Sequence, residues 1–362
     1  KEIRIYGMDG QDEFLVEGDV DESIVVRIIG GGGEDVITDS SHVSGLKNYT
    51  VVYDTEEGNK FNFSSETKDK TEPYEEVNLY DRDNFKMPYF GPRLTTEYNI
   101  EDGFLPGIGL MLRTQEFRKD PYASEHVLET KYAFRTDAFD VRYKGDVRDV
   151  LGYWNLRMQA HLQGPGFRRN YYGLGNNTEQ ASGLDDSYYS VHYNRTALSA
   201  ALFREPVAFV EMGLGPTYDR FEVEMPEGNT FLLDQARAGD LQKGMYDAEE
   251  GKFNVQHYAG GKAFLNLVVI GGGSTDGNPR IGMRWYNTVS YNHELQGEGL
   301  HFTNLSSEFR FYITPNFPFK LTWAGRFGAA HNYGDYRFYQ ANTLGGTENL
   351  RGYRRTRFAG RS

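Results

Sequence analysis

Phe139-Asp-Val-Arg-Tyr-Lys-Gly-Asp-Val147 is the stretch that decides the fold. Phe139, Val141, Tyr143, Gly145 and Val147 alternate with Asp140, Arg142, Lys144 and Asp146, so every residue of the second set is charged. A period of two is the signature of a strand, whose successive side chains point to opposite faces. A strand that is apolar on one side and charged along the other needs oil against one face and water against the other. A soluble antiparallel sheet also meets that demand, so the weight falls on repetition.

The pattern repeats along most of the chain. Trp154, Leu156, Met158, Ala160 and Leu162 alternate with Asn155, Arg157, Gln159 and His161. Ile281, Met283, Trp285 and Val289 alternate with Arg284 and Tyr286, and Phe309, Phe311 and Ile313 with Glu308 and Arg310. Eleven strands are predicted, near 94–101, 105–117, 125–136, 138–149, 152–163, 187–203, 207–224, 254–270, 279–292, 302–313 and 319–331. The segment 254–270 is the least regular, because its apolar run Phe264–Ile270 blurs the alternation. Many of these strands are long enough to cross a bilayer at a tilt. The connections also sort by parity. Those after even strands are short, whereas 164–186, 225–253 and the segment from Asn332 all follow odd strands. Outer-membrane barrels have this asymmetry of short turns and long external loops. A soluble sandwich has no reason to produce it.

Composition agrees. The 362 residues carry 15% aromatics and 42 glycines at only 38% hydrophobic content, a β-protein profile. No apolar run is long enough for a transmembrane helix, a test that barrel strands escape. A net charge of −13 argues against a nucleic-acid partner, which requires a basic face. Cysteine is absent, so there is neither a disulfide framework nor a thiolate metal site. The expected class is all-β: a transmembrane antiparallel barrel over 93–362, C-terminally incomplete, then upstream a linker over 64–92 and a β-rich glycine/aspartate repeat region over 1–63.

After the eleventh strand comes Leu344-Gly-Gly-Thr-Glu-Asn-Leu-Arg-Gly-Tyr-Arg-Arg-Thr-Arg-Phe-Ala-Gly360, with no strand or helix period. Such a stretch reads either as a solvated surface loop or as a loop folded back into a polar cavity. Leu350-Arg-Gly-Tyr353, preceded by Gly345-Gly346 and followed by Phe358 and Gly360, resembles the signature of the BamA/TamA-type bacterial surface-antigen barrels. Tyr171-Tyr-Gly-Leu-Gly-Asn176 is similar to a second element of these barrels. The resemblance implies a sixteen-strand barrel, of which eleven strands are present here. It implies that Gly345, Gly346, Leu350, Arg351, Gly352, Tyr353, Phe358 and Gly360 form a loop docked in the lumen, with Arg351 gripping groups on later strands. It further implies a Gram-negative outer membrane with residues 1–92 in the periplasm, outer-membrane lipids and client outer-membrane or exported proteins as partners, and accessory lipoproteins. The function it implies is insertion, assembly or translocation of proteins; the alternative is a barrel that anchors or displays an upstream enzyme.

Upstream, Ile3-Arg-Ile-Tyr-Gly-Met-Asp-Gly-Gln-Asp-Glu-Phe14 matches Val26-Arg-Ile-Ile-Gly-Gly-Gly-Gly-Glu-Asp-Val-Ile37 at an offset of 23 residues. The copies read as two hairpins or arches with glycine turns, and 48–63 as a further hairpin turning at Glu56-Glu-Gly-Asn59. The Gly30–Ile37 pattern also resembles the calcium-binding nonapeptide of RTX proteins, which implies calcium ligands at Asp12 and Asp35. POTRA domains have no counterpart in this stretch. It is more similar to the segment before the barrel in Bacteroidota-type fusions, where a calcineurin-like phosphoesterase stands upstream. The residues given contain no catalytic constellation: the eight histidines are scattered and no nucleophile elbow or P-loop occurs. Any enzyme would lie before Lys1, and no cofactor other than calcium is expected.

Overall fold

The computed structural model describes residues 2–45, 47–82, 85–164, 166–175, 177–242, 244–271, 279–315, 320–347 and 349–362. The chain divides into two compact units, Lys1–Lys86 and Met87–Ser362.

The first unit is a coil of parallel strands. Glu2–Tyr6, Val25–Ile29, Thr50–Tyr53 and Thr67–Asp69 form one parallel ladder, and Glu13–Val16, Val36–Asp39 and Lys60–Asn62 a second. Asp19–Val20 and His42–Val43 make a third. Strands joined by a turn therefore lie in different ladders, and each pairs with its copy one coil on, as in Glu2↔Val25 and Glu13↔Val36. For the repeat copies the arch reading holds over the hairpin, and the hairpin read at 48–63 is corrected: the segments at Gly30–Asp35 and Glu56–Asn59 are corners between ladders. Stacking puts like on like, so Ile28, Ile37 and Val52 close a small core with Phe14, Val16, Val26 and Phe61. The corner glycines are required by close approach. A β-carbon on Gly31 or Gly33 would lie 1.9 and 1.5 Å from the carbonyl oxygens of Met8 and Gly10. Thr67–Asp69, within the stretch read as linker, continues the first ladder.

In the second unit eleven long strands run in sequence order as one antiparallel sheet. They are β1 (Tyr89–Asn99), β2 (Gly103–Thr114), β3 (Ser124–Ala133), β4 (Ala138–Leu151), β5 (Trp154–Gly164), β6 (Ser190–Val207), β7 (Val210–Val223), β8 (Gln256–Gly271), β9 (Ile281–Glu294), β10 (His301–Ile313) and β11 (Trp323–Gly334). The short strand Arg168–Asn170 adds to β6. Each predicted strand has its counterpart, including the irregular β8, which pairs along its length with both β7 and β9. Among the described residues no ladder joins β1 to β11.

The two faces differ as the alternation requires. Leu94 is 86% exposed, Leu214 61% and Trp285 42%, and Ile108, Leu110, Val289 and Phe327 are exposed with them. The opposite face carries ion pairs between strands: Lys131 to Glu97 at 2.8 Å, Arg195 to Asp219 at 2.9 Å, and Arg157 to both Asp146 and Glu211 at 3.0 and 2.9 Å. Apolar side chains outward and paired charges inward invert the plan of a soluble protein. This is the arrangement of a barrel wall in lipid, and the fold is a partial transmembrane β-barrel.

The largest core lies with the long connections. Tyr171, Phe221, Tyr258, Phe338 and Tyr339 cluster there with Leu232 and Ala236 of helix α1 (Phe231–Ala238). The helix begins at Thr230, whose hydroxyl accepts from the Leu233 amide at 3.3 Å, and ends at Gly239 in the left-handed conformation.

Candidate functional site

The segment after β11 has a root and a tip. Gly334 turns the chain out of β11 at φ +100°, where a β-carbon would lie 2.5 Å from the His301 carbonyl oxygen. A short turn at Phe338–Gln340 then sends two aromatic rings into the core. Tyr339 stacks on Phe221 at 4.2 Å and shares a 3.0 Å hydrogen bond with Tyr258, while Phe338 lies 4.5 Å from Tyr171. Burial pushes the Tyr339 hydroxyl well above the usual phenol range. Beside it the Arg337 guanidinium donates to Glu294 at the end of β9 at 2.8 Å, and both side chains are 0% exposed. The other oxygen of Glu294 accepts from the Leu300 amide at 3.1 Å. Burying this pair is tolerable because each charge has a close, hydrogen-bonded partner.

Above the root, Asn342–Leu344 and Phe358–Gly360 pair as a two-stranded ribbon. Its base is tied by amide groups: Asn304 Nδ2 donates to Asn332 Oδ1 at 2.7 Å and to Asn342 Oδ1 at 3.0 Å, and Asn342 Nδ2 donates to the Arg361 carbonyl at 2.7 Å. Gly345 (φ +128°) begins the tip, where a β-carbon would strike the Arg354 carbonyl oxygen at 2.0 Å. Gly346 donates its amide to the Tyr353 carbonyl at 2.9 Å and bridges to Leu350, so the signature residues form a tight internal turn. The Tyr353 ring meets Phe358 edge-on at 5.2 Å.

A strip from the connection between β5 and β6 holds the far side of the tip. Thr356 is buried and donates to the Asn170 carbonyl at 2.6 Å; Asn170 Nδ2 donates to Glu101 at 2.9 Å and to the Arg355 carbonyl at 3.2 Å. Arg357 donates to the Thr178 hydroxyl and carbonyl at 2.9 and 2.7 Å and lies 4.7 Å over the Tyr172 ring. The Gly175 amide donates to the Ala359 carbonyl at 2.8 Å, and Arg354 pairs with Asp186. Both sequence elements singled out above, Tyr171–Gly175 and Leu350–Gly360, thus meet; Asn176 lies outside the described residues. Asp102, in the turn after β1, accepts from the Arg168 amide at 3.2 Å, and burial holds its carboxyl above the usual range.

Arg351 and Gly352 sit exposed at the end of the tip, and among the described residues the Arg351 side chain makes no hydrogen bond or ion pair. Arg351 borders a cavity of about 620 Å³ lined also by Glu97, Glu101, Arg169 and Arg355. Guanidiniums and carboxylates on one wall suit a polar occupant. Sequence reasoning did not single out Arg337, Glu294, Asn170, Thr356 or Arg357. The one local signal was Arg337 embedded between Tyr336 and Phe338-Tyr339.

In the first unit, Asp12 and Asp35 are steps of a ladder along the coil axis. Asp35 Oδ1 accepts from the Asp12 amide at 2.8 Å, and the Asp35 amide donates to Asn59 Oδ1 at 2.7 Å. Among the described residues no group of three or more histidine, aspartate or glutamate side chains converges as a metal site.

No family model matches the chain, and no curated protein matches it. Among solved structures it is similar to BamA from Haemophilus ducreyi lacking POTRA domains 1-3, with a TM-score of 0.52 and 14% identity. The match covers 75% of this chain and 47% of that one, so the chain spans about half the length of the protein it resembles. The fold is that of a BamA-like barrel. At this identity the likeness concerns the backbone.

Proposed function

We propose that this chain forms part of an outer-membrane barrel that assists insertion and assembly of client β-proteins in a Gram-negative envelope, with residues 1–92 on the periplasmic side. The observation that carries the reading is the segment after β11, folded back and fixed at both ends by Arg337–Glu294 and Thr356–Asn170. A passive pore has no need of a loop held so firmly, and a loop seated in the lumen would obstruct one. An assembly barrel needs a rigid internal brace against which its wall can open. Lipids contact the apolar outer face, and clients and accessory lipoproteins are the protein partners; Arg351 at the tip is the contact offered to polar groups of later strands or of a client. The catalytic role in any upstream domain belongs to the alternative, in which this barrel is only an anchor. Reconstitution of the full-length protein in liposomes of bacterial polar lipids separates the two. Folding of a urea-unfolded outer-membrane barrel, followed by heat-modifiable mobility on semi-native gels, should be accelerated over empty liposomes. No acceleration by correctly folded protein would leave the anchor.

A further inference from the structure

We propose that the outward rim of β8–β11 at the end of the long connections, centred on His257, His293 and His301, seats the phosphate headgroups of an anionic lipid leaflet when its histidines are protonated. At this end one set of strand residues points inward: Tyr258, Glu294, Phe302 and Asn332 are buried. The alternate residues point outward, and all four histidines of these strands are among them: His257, His293, His301 and His331. His293 and His301 are direct partners across the ladder, with ring centres 6.5 Å apart, and both are exposed. His257 is the diagonal neighbour of His293, since Ala259 stands opposite His293. Tyrosines accompany them. Tyr218 shares a 2.8 Å hydrogen bond with His257, the Tyr291 ring lies 6.4 Å from that of His301, and the Tyr333 ring 4.4 Å from that of His331.

The rim continues the apolar wall, where Leu265, Val289 and Leu305 are exposed, and the other end of the same face carries exposed Trp285, Trp323 and Phe327. The two ends thus differ in kind: tryptophan and phenylalanine toward the short turns, histidine and tyrosine toward the long connections. Tyrosine suits any boundary between oil and water, because its ring is amphipathic. Histidine adds a positive charge that comes and goes between pH 5 and 8, and the protein supplies little to balance it. On β7, Arg220 stands opposite His257 and is already paired with Glu222 at 2.8 Å. The outward positions of β9 from Val289 to His293, of β10 from His301 to Leu305 and of β11 from Ala329 to Tyr333 are otherwise uncharged. Beyond the strands, the Asp335 amide donates to the His301 carbonyl at 3.1 Å, and Asp335 and Glu298 line a cavity with Gln242 and Arg361. Headgroup phosphates lie where an apolar wall ends, and they are the anions that a charged rim at this depth meets.

Such a surface requires a barrel in an outer membrane, as proposed above, but no assembly activity, so the test needs no client. Full-length protein is reconstituted in vesicles of phosphatidylcholine alone or of equimolar phosphatidylcholine and phosphatidylglycerol, with a chelator present to remove metal from the histidine pair. Unfolding in urea, followed by heat-modifiable mobility, should slow about fivefold in the mixed vesicles relative to the zwitterionic ones as pH falls from about 8 to about 5, the effect of roughly one cation held at an anionic surface. The charged imidazole is the form that meets phosphate, so the gain is present at the lower pH and lost at the higher. Comparing the two vesicles cancels the response of carboxylates elsewhere in the chain. His257→Gln with His293→Gln and His301→Gln should lose the lipid-specific gain. His293→Lys with His301→Lys should show it at both pH values, which keeps the test decisive if the glutamine variant folds poorly. Insertion into both vesicles with one and the same pH response overturns the proposal and leaves the membrane reading standing; failure to insert into either strikes that reading itself. A gain that survives in the glutamine variant, or that inorganic phosphate reproduces in phosphatidylcholine vesicles, also overturns it.

Discussion

Arg337 and Arg351 belong to one segment and follow the same strand, yet the fold treats them oppositely. Arg337 is sealed at the root against Glu294 with aromatic rings around it, whereas Arg351 is held out at the tip beside a polar cavity. The difference lies in what each turn can reach. The root crosses the ends of β8 and β9, where a carboxylate and a tyrosine hydroxyl are already in place. The tip folds on itself through Gly345 and Gly346, which use up backbone groups and leave Arg351 pointing away. One arginine fixes the brace and the other is presented by it.

The sharpest way to break this contrast is at the root. Arg337→Met leaves Glu294 buried without its cation, and removing one partner of such a pair costs about 3–5 kcal/mol. Denaturant unfolding of the barrel should show a loss of that size. Adding Glu294→Leu to the variant should recover much of it, because the cost is that of the orphaned charge and not of the missing contact. A single variant that unfolds like wild type would mean that the root does not brace the segment.

The alternation exposed eleven strands because a wall with lipid on one side and ion pairs on the other must write its two faces at period two, and few interior residues break the rule. The irregular run Phe264–Ile270 still falls within β8, since pairing on both edges overrides a local blur. Parallel coiling was harder to read. A strand, a glycine corner and a second strand spell the same string whether the two strands pair with each other or with copies one coil away. The 23-residue offset held the answer, and Glu2↔Val25 shows it used. Burial of Arg337 had only its aromatic neighbours Tyr336, Phe338 and Tyr339 to suggest it, because its partner Glu294 comes from another strand and no local pattern announces the pair.

A smaller effect is expected at the joint between root and tip. Thr356→Val keeps the shape but removes the hydrogen bond to the buried Asn170 carbonyl, a loss of about 1–3 kcal/mol for an unsatisfied buried acceptor. Exchange of amides in 345–357 should quicken while the root peptides containing Arg337 stay protected. If root and tip loosen together, the two parts are one cooperative piece and the distinction drawn above fails.

The smallest effect on stability belongs to Arg351. Its side chain is exposed, and substitutions at such positions usually change stability by no more than about 0.5 kcal/mol. Arg351→Ala should therefore unfold with wild-type midpoint and slope in denaturant. In the liposome assay the same variant should slow client folding, since the guanidinium offered at the tip is the group that this reading gives to polar partners. The pairing of outcomes is what discriminates. A loss of stability above about 1 kcal/mol would make Arg351 a structural anchor like Arg337, and wild-type assembly activity would make the tip a spectator held in place by its neighbours.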